Sequence, residues 1–191
     1  MSALALETLS QETTGAIIIE HVRYTGAAGA RVPACLFRPR AQSGAGPALI
    51  LQHGANTSKA DFYIQAPARR WAAAGWTVLA IDLAEHGERV VGEPLDPMQR
   101  RRLIGKPAFV AEGVGDLARA VDLLEATPGV DARRIAFAGF SLGGMLGTVF
   151  SAREPRVRTA AIVIAGSFAH TRYWEHGATP ASVVADVPTE F

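Results

Sequence analysis

Ile135-Ala136-Phe137-Ala138-Gly139-Phe140-Ser141-Leu142-Gly143-Gly144 is an apolar run broken abruptly by glycine, serine and glycine. Residues 135–138 have the composition of a strand buried on both faces, and residues 142–153, closed before Pro155, read as a helix. The junction is therefore a strand that turns into a helix at Ser141. So sharp a turn pushes its central residue toward strained backbone and crowds the flanks; glycines two positions away, Gly139 and Gly143, remove the side chains that would clash. The Ser141 hydroxyl then stands at the carboxyl edge of a sheet and at a helix N-terminus, whose dipole and free N–H groups favour developing negative charge. That is the position of a nucleophile. A glycine-rich helix start capped by serine is the plainer alternative.

Working outward, residues 160–165 form one further β-branched strand, and the spacing of Val114, Leu117, Ala118, Val121 and Leu124 predicts an amphipathic helix over 109–126. That helix is expected to turn Asp116, Arg119 and Asp122 toward water and to end at Pro128-Gly129. Upstream, residues 48–51 and 76–81 are buried-strand runs, with a helix over 66–74 between them that stops at Gly75. Residues 17–24 and 31–37, separated by a Gly/Ala turn, read as a hairpin. A hairpin followed by strands alternating with helices implies an α/β fold: a mostly parallel, doubly wound sheet of six strands with an antiparallel N-terminal hairpin. Trp71 and Trp76 are expected in the core.

The chain has 191 residues, 49% of them apolar, which suits one domain over 1–191. Its 19 Lys and Arg nearly cancel 18 Asp and Glu, so no net field selects nucleic acid or a membrane surface. One cysteine, Cys35, excludes an internal disulfide framework and lies in an apolar run as a core residue. Residues 1–14 lack a basic leader and no apolar run reaches about twenty residues, so a soluble, cytoplasmic protein is expected.

Gln52-His53-Gly54-Ala55-Asn56 follows the strand at 48–51. Acyl transfer passes through an oxyanion that needs two backbone donors, one after the nucleophile and one from an earlier strand's loop. Leu142 and Ala55 fill those places. His53 reads as a residue that orders this loop, and Asp82-Leu83-Ala84-Glu85-His86-Gly87-Glu88-Arg89 is a third motif, after residues 76–81.

With these three motifs in this order, the chain resembles the α/β-hydrolase fold superfamily, in its dienelactone-hydrolase-like and prolyl-oligopeptidase-like serine esterase branch, over residues 17–166. The resemblance implies an ester hydrolase with Ser141 as nucleophile, His86 as a loop-ordering residue, and no cofactor. It also implies an acid and a histidine base after later strands, for which this sequence has no counterpart; the expectation is a chain truncated at its C-terminus, whose last predicted strand becomes a sheet edge open to self-association. Residues 167–191 read as the start of a cap segment. Within them Glu175 is a weak candidate acid between His170 and His176, Asp186-Val187-Pro188 faintly resembles the family's acid turn, and no metal spacing is present. Tyr173 and Trp174 would line an acyl pocket or cover the edge.

Arg100-Arg101-Arg102 with Lys106 reads as solvated helix surface, with anion recognition near the site as the sharper alternative. The function expected is hydrolysis of a small-molecule ester or related acyl bond. Acyl transfer or peptide cleavage by the same serine, and a catalytically inactive fragment acting through binding, are the alternatives.

Overall fold

The computed structural model describes residues 4–166. Its frame is a seven-stranded sheet in the order β1-β2-β3-β5-β4-β6-β7. The strands are β1 (Glu7–Thr14), β2 (Ile17–Thr25), β3 (Arg31–Pro39), β4 (Gly46–Gln52), β5 (Thr77–Ile81), β6 (Val130–Phe140) and β7 (Val157–Val163). The helices are α1 (Phe62–Ala73), α2 (Pro97–Ile104), α3 (Pro107–Ala126) and α4 (Leu142–Arg153), with a 3-10 turn at Gly87–Arg89. Pairing is antiparallel across β1, β2, β3 and β5, and parallel from β5 through β4 and β6 to β7. The α/β fold class expected from the sequence is the one observed.

The strand sequences alternate which face each residue serves, because successive side chains leave a strand on opposite sides. Leu36, Ile50, Leu79 and Phe137 pack with Leu117, Val121, Leu146 and Phe150 of α3 and α4. Their neighbours Phe37, Leu49 and Val78 pack on the other face against Ile64, Ala68 and Ala72 of α1. A sheet covered on both faces explains why β4 and β5 are continuous apolar runs rather than alternating ones. Cys35 is buried and free, as its apolar setting implied.

Several expectations are corrected. The sheet has a strand the sequence reading missed: β1, wholly exposed along Glu-Thr-Leu-Ser-Gln-Glu-Thr-Thr, pairs with β2, so the N-terminal antiparallel unit has three strands. Helix α1 begins at Phe62, earlier than expected, and runs through Pro67. Helix α2 carries the basic run that was expected on a helix surface, though its bounds were not read; it starts at a capping box in which Asp96 accepts from Gln99 N while the Gln99 side chain accepts from Asp96 N. Trp71 stacks edge-on against Trp76 with ring centroids 4.8 Å apart but is itself exposed.

Asp116, expected in water, is buried. Its carboxylate accepts from Arg89 Nη1 at 2.7 Å and from Ala27 N at 3.0 Å, and its carbonyl accepts from the buried Tyr24 hydroxyl at 2.9 Å. A buried carboxylate is tolerable when a cation and N–H donors meet it. Here they anchor the β2–β3 turn to α3.

The predicted strand at 160–165 is β7, shifted to begin at Val157, and among the described residues it pairs only with β6. No helix among the described residues is long and apolar enough to cross a membrane.

Candidate active site

Three chain segments meet at the carboxyl ends of β4, β5 and β6. Ser141 joins β6 to α4 with φ 50° and ψ −112°, a positive-φ conformation costly for any residue with a Cβ, and its side chain is exposed. Backbone bonds fix it from both sides: Ser141 N donates to Val163 O of β7 at 2.8 Å, and Met145 N donates to Ser141 O at 2.8 Å.

The flanking glycines are required by close approach. A Cβ on Gly139 would lie 2.4 Å from Gly143 O, and one on Gly143 would lie 2.6 Å from His53 O and 2.7 Å from Gln52 O. All three distances are inside van der Waals contact with backbone, which cannot swing away. The loop after β4 is thus pressed directly on the start of α4.

That loop holds Ala55, half-buried, beside Ser141 and Leu142. Tyr63 shapes it: the Tyr63 hydroxyl accepts from Gly54 N at 2.8 Å and shares a 2.6 Å hydrogen bond with Thr57 Oγ1, while Thr57 donates to Gly54 O at 2.9 Å. The Tyr63 ring also meets Phe140 edge-on at 5.3 Å, tying the loop to the residue before the serine. Leu142 is the first residue of α4, where helix geometry leaves the N–H without an intrahelical acceptor. Among the described residues, neither the Leu142 nor the Ala55 amide donates to another group. Tyr63 and Thr57 were missed by the sequence reading, and no motif flagged them.

His53 is fully buried, with Nδ1 2.8 Å from Gly54 O and Nε2 accepting from Leu83 N at 3.2 Å. A bond from Leu83 N requires Nε2 to be an acceptor, so Nδ1 carries the proton and His53 is neutral. Burial, with a smaller push from His86, holds its pKa down to about 4. His86 is buried too, 5.3 Å from His53 between ring centroids, and its pKa is also lowered by burial. Both order loops, as the sequence implied; neither is hydrogen-bonded to Ser141.

The Asp82–Arg89 segment forms the second support, which the sequence reading described without its key partner. Lys59, buried, gives its ammonium to Asp82 Oδ2 and Glu88 Oε1, each at 2.6 Å, while Lys59 N donates to Asp82 Oδ1 at 2.9 Å. Burial works against the Lys59 cation, but these carboxylates outweigh it and its pKa is raised. Glu88 is held below the usual carboxylate range, chiefly by its hydrogen bond from Lys59.

In front of Ser141 lies an open depression of about 220 Å³, walled by Ala55, Asn56, Leu142 and Met145 and on the far side by Arg100, Arg101 and Ile104 of α2. The basic run is therefore only partly a solvated surface: Arg101 and Arg102 are exposed, while Arg100 is half-buried at the site. Glu175, with His170, His176, Tyr173, Trp174 and the Asp186 turn, lies outside the described residues. No group of side chains fit to hold a metal ion occurs among the described residues.

Residues 3–179 match the acetyl xylan esterase (AXE1) family profile. The chain belongs to the acetyl xylan esterase family. An acetyl xylan esterase from Thermoanaerobacterium sp. JW/SL YS485 superposes with a TM-score of 0.74 at 25% identity, covering 97% of this chain and 61% of that one. The acetyl xylan esterase of Paenibacillus sp. R4 does so with a TM-score of 0.72 at 23% identity, over 97% and 61% of the two chains. A cold-adapted esterase from an Arctic intertidal metagenomic library gives 0.65 at 29% identity, over 80% and 62%. The chain thus spans about three-fifths of the length of these relatives. No curated protein matches it by sequence. The α/β-hydrolase resemblance read from three motifs is thereby placed in a specific esterase family.

Proposed function

We propose that this chain carries the nucleophile and oxyanion site of a serine hydrolase acting on short acyl esters, acetyl being the acyl group its family and relatives point to. The observation that carries the reading is the Ser141 backbone, held at φ 50° on an exposed strand-to-helix turn against the Gly54-Ala55 loop. Strain of this kind persists only where surrounding structure imposes it, and it aims one hydroxyl into the depression.

In this reading Ser141 Oγ attacks the ester carbonyl carbon, and the oxygen that becomes negative is met by the Ala55 and Leu142 amides. The Ser141 proton passes to a base and from it to the departing alcohol; water then cleaves the acyl-enzyme by the same route. Since His53 and His86 are buried in their own loops and His21 lies on β2 beside Cys35, the base and its acid come from outside residues 4–166, and activity is a property of the whole protein. Removal of one oxyanion donor in such sites costs about 10²- to 10³-fold in rate.

The test is hydrolysis of 4-nitrophenyl acetate by the protein and by Ser141→Ala. Turnover abolished by the substitution supports the reading; equal turnover by the variant removes it. A cytoplasmic location, resting on the sequence alone, and self-association along β7 belong to the same proposal. The latter is supported by Ile162 of β7 and Ile164 just past its end, both exposed. A monomer by size exclusion at micromolar concentration would count against it.

A further inference from the structure

Among the described residues, the depression in front of Ser141 is lined by two guanidinium groups and by no carboxylate. Arg100 is the half-buried one of the two. Its Nη1 donates to the Glu85 carbonyl and its Nη2 to the Leu95 carbonyl, both at a long 3.4 Å. Its Nε is buried, out of reach of solvent, and has no hydrogen-bond partner among the described residues. Both acceptors are neutral, so among the described residues the Arg100 cation meets no acid. Arginines elsewhere in this chain differ: Arg89 pairs with Asp116 and Glu112, and Arg156 with Asp122, Glu125 and Glu154.

Each Arg100 Nη nitrogen carries a second N–H beyond the one it gives to a carbonyl, so this half-buried cation keeps donors for an acceptor in the depression. The mount is also firm: α2 is fastened by its capping box, and Arg100 N donates to Asp96 O at 2.9 Å. A fixed pair of Nη groups is suited to the two oxygens of a carboxylate, and its ordering cost is met in advance. A plain neutral ester needs no such group.

We propose that Arg100 is an anion-binding residue of this site, and that the ester hydrolysed at Ser141 carries a carboxylate on its acyl or alcohol part. The proposal rests on the reading of Ser141 as the nucleophile. It extends that reading by predicting discrimination between esters matched in size and differing in charge.

Two pairs of compounds test it. On the alcohol side, 4-acetoxybenzoate is compared with 4-acetoxybenzamide; on the acyl side, monomethyl succinate is compared with its amide, methyl succinamate. In the native protein, kcat/KM for the anionic member of one pair should exceed that for the neutral member by about tenfold or more, the size of one hydrogen bond to a charged group. In Arg100→Gln the ratio should fall to about one, in Arg100→Lys it should be partly kept, and raising NaCl should compress it in the native protein. Whichever pair responds names the side that faces Arg100.

Binding of the same compounds to Ser141→Ala, followed by saturation-transfer NMR, separates this proposal from the one beneath it. If turnover is absent but the anion still binds in preference and Arg100→Gln removes the preference, Arg100 stands and the nucleophile reading falls. A ratio near one in the native protein for both pairs, in turnover and in binding, overturns the proposal. So does a ratio that Arg100→Gln leaves intact.

Discussion

Lys59 and Asp82 form a buried ion pair of 2.6 Å that joins the loop after β4 to the turn after β5. Lys59 lies four residues beyond Ala55, and its amide and ammonium take both Asp82 oxygens. Glu88 N adds a third donor to that carboxylate at 3.0 Å. The loop that presents the Ala55 amide is thus fastened to the sheet through the fully buried Asp82 carboxylate.

Removing the cation from such a pair strands an anion in the interior. Lys59→Met should destabilise the protein by about 3–5 kcal/mol. Urea unfolding monitored by circular dichroism measures this, and a midpoint unchanged from native would show that the pair does not fasten the loop.

The backbone of Ser141 stores strain that a residue without a Cβ would not suffer. Ser141→Gly should therefore raise stability by about 1 kcal/mol while abolishing any reaction at this position. Thermal unfolding of the variant checks the first half; a lower midpoint would mean the conformation is not strained.

Gly143 should tolerate no side chain. Its missing Cβ would fall 2.6 Å from the His53 carbonyl oxygen, so Gly143→Ala must push the loop away from α4. A loss of about 1–3 kcal/mol is expected, together with loss of esterase turnover through displacement of the Ala55 amide. Turnover equal to native would refute the close contact.

Acid should unfold the protein through its buried histidines. His53 titrates near 4 in the folded state against about 6.5 in an unfolded chain, so between those values the unfolded state binds more protons. Stability is therefore full above about pH 6.5 and declines as pH falls toward 4, by up to about 3 kcal/mol from this group. His86, also lowered, acts in the same direction. Denaturant midpoints at pH 7.5 and 5 should differ accordingly, and equal midpoints would contradict a neutral buried pair.

The α/β architecture and the serine turn were legible because each leaves a local mark: continuous apolar runs for strands covered on both faces, and glycines where backbone meets backbone. What escaped lacked such marks. β1 is wholly exposed, with Leu9 the lone large apolar side chain in a polar stretch, so no alternation announces it. Asp116 looked like one more polar helix position, since its burial depends on Arg89 and Ala27, 27 and 89 residues away. Lys59 and Tyr63 sit at the site through tertiary contacts that no spacing encodes, and the basic run that flagged Arg100 did not tell which of its arginines is half-buried there. For α2 a signal did exist, in Asp96-Pro97-Met98-Gln99: an N-cap, a first-turn proline and a reciprocal glutamine.

The account turns on which hydroxyl reacts. Treating the protein with a fluorophosphonate and mapping the adduct by peptide mass spectrometry measures that directly. One adduct on Ser141, absent from Ser141→Ala, is the predicted result; modification of a different residue, or labelling that persists in Ser141→Ala, would contradict it.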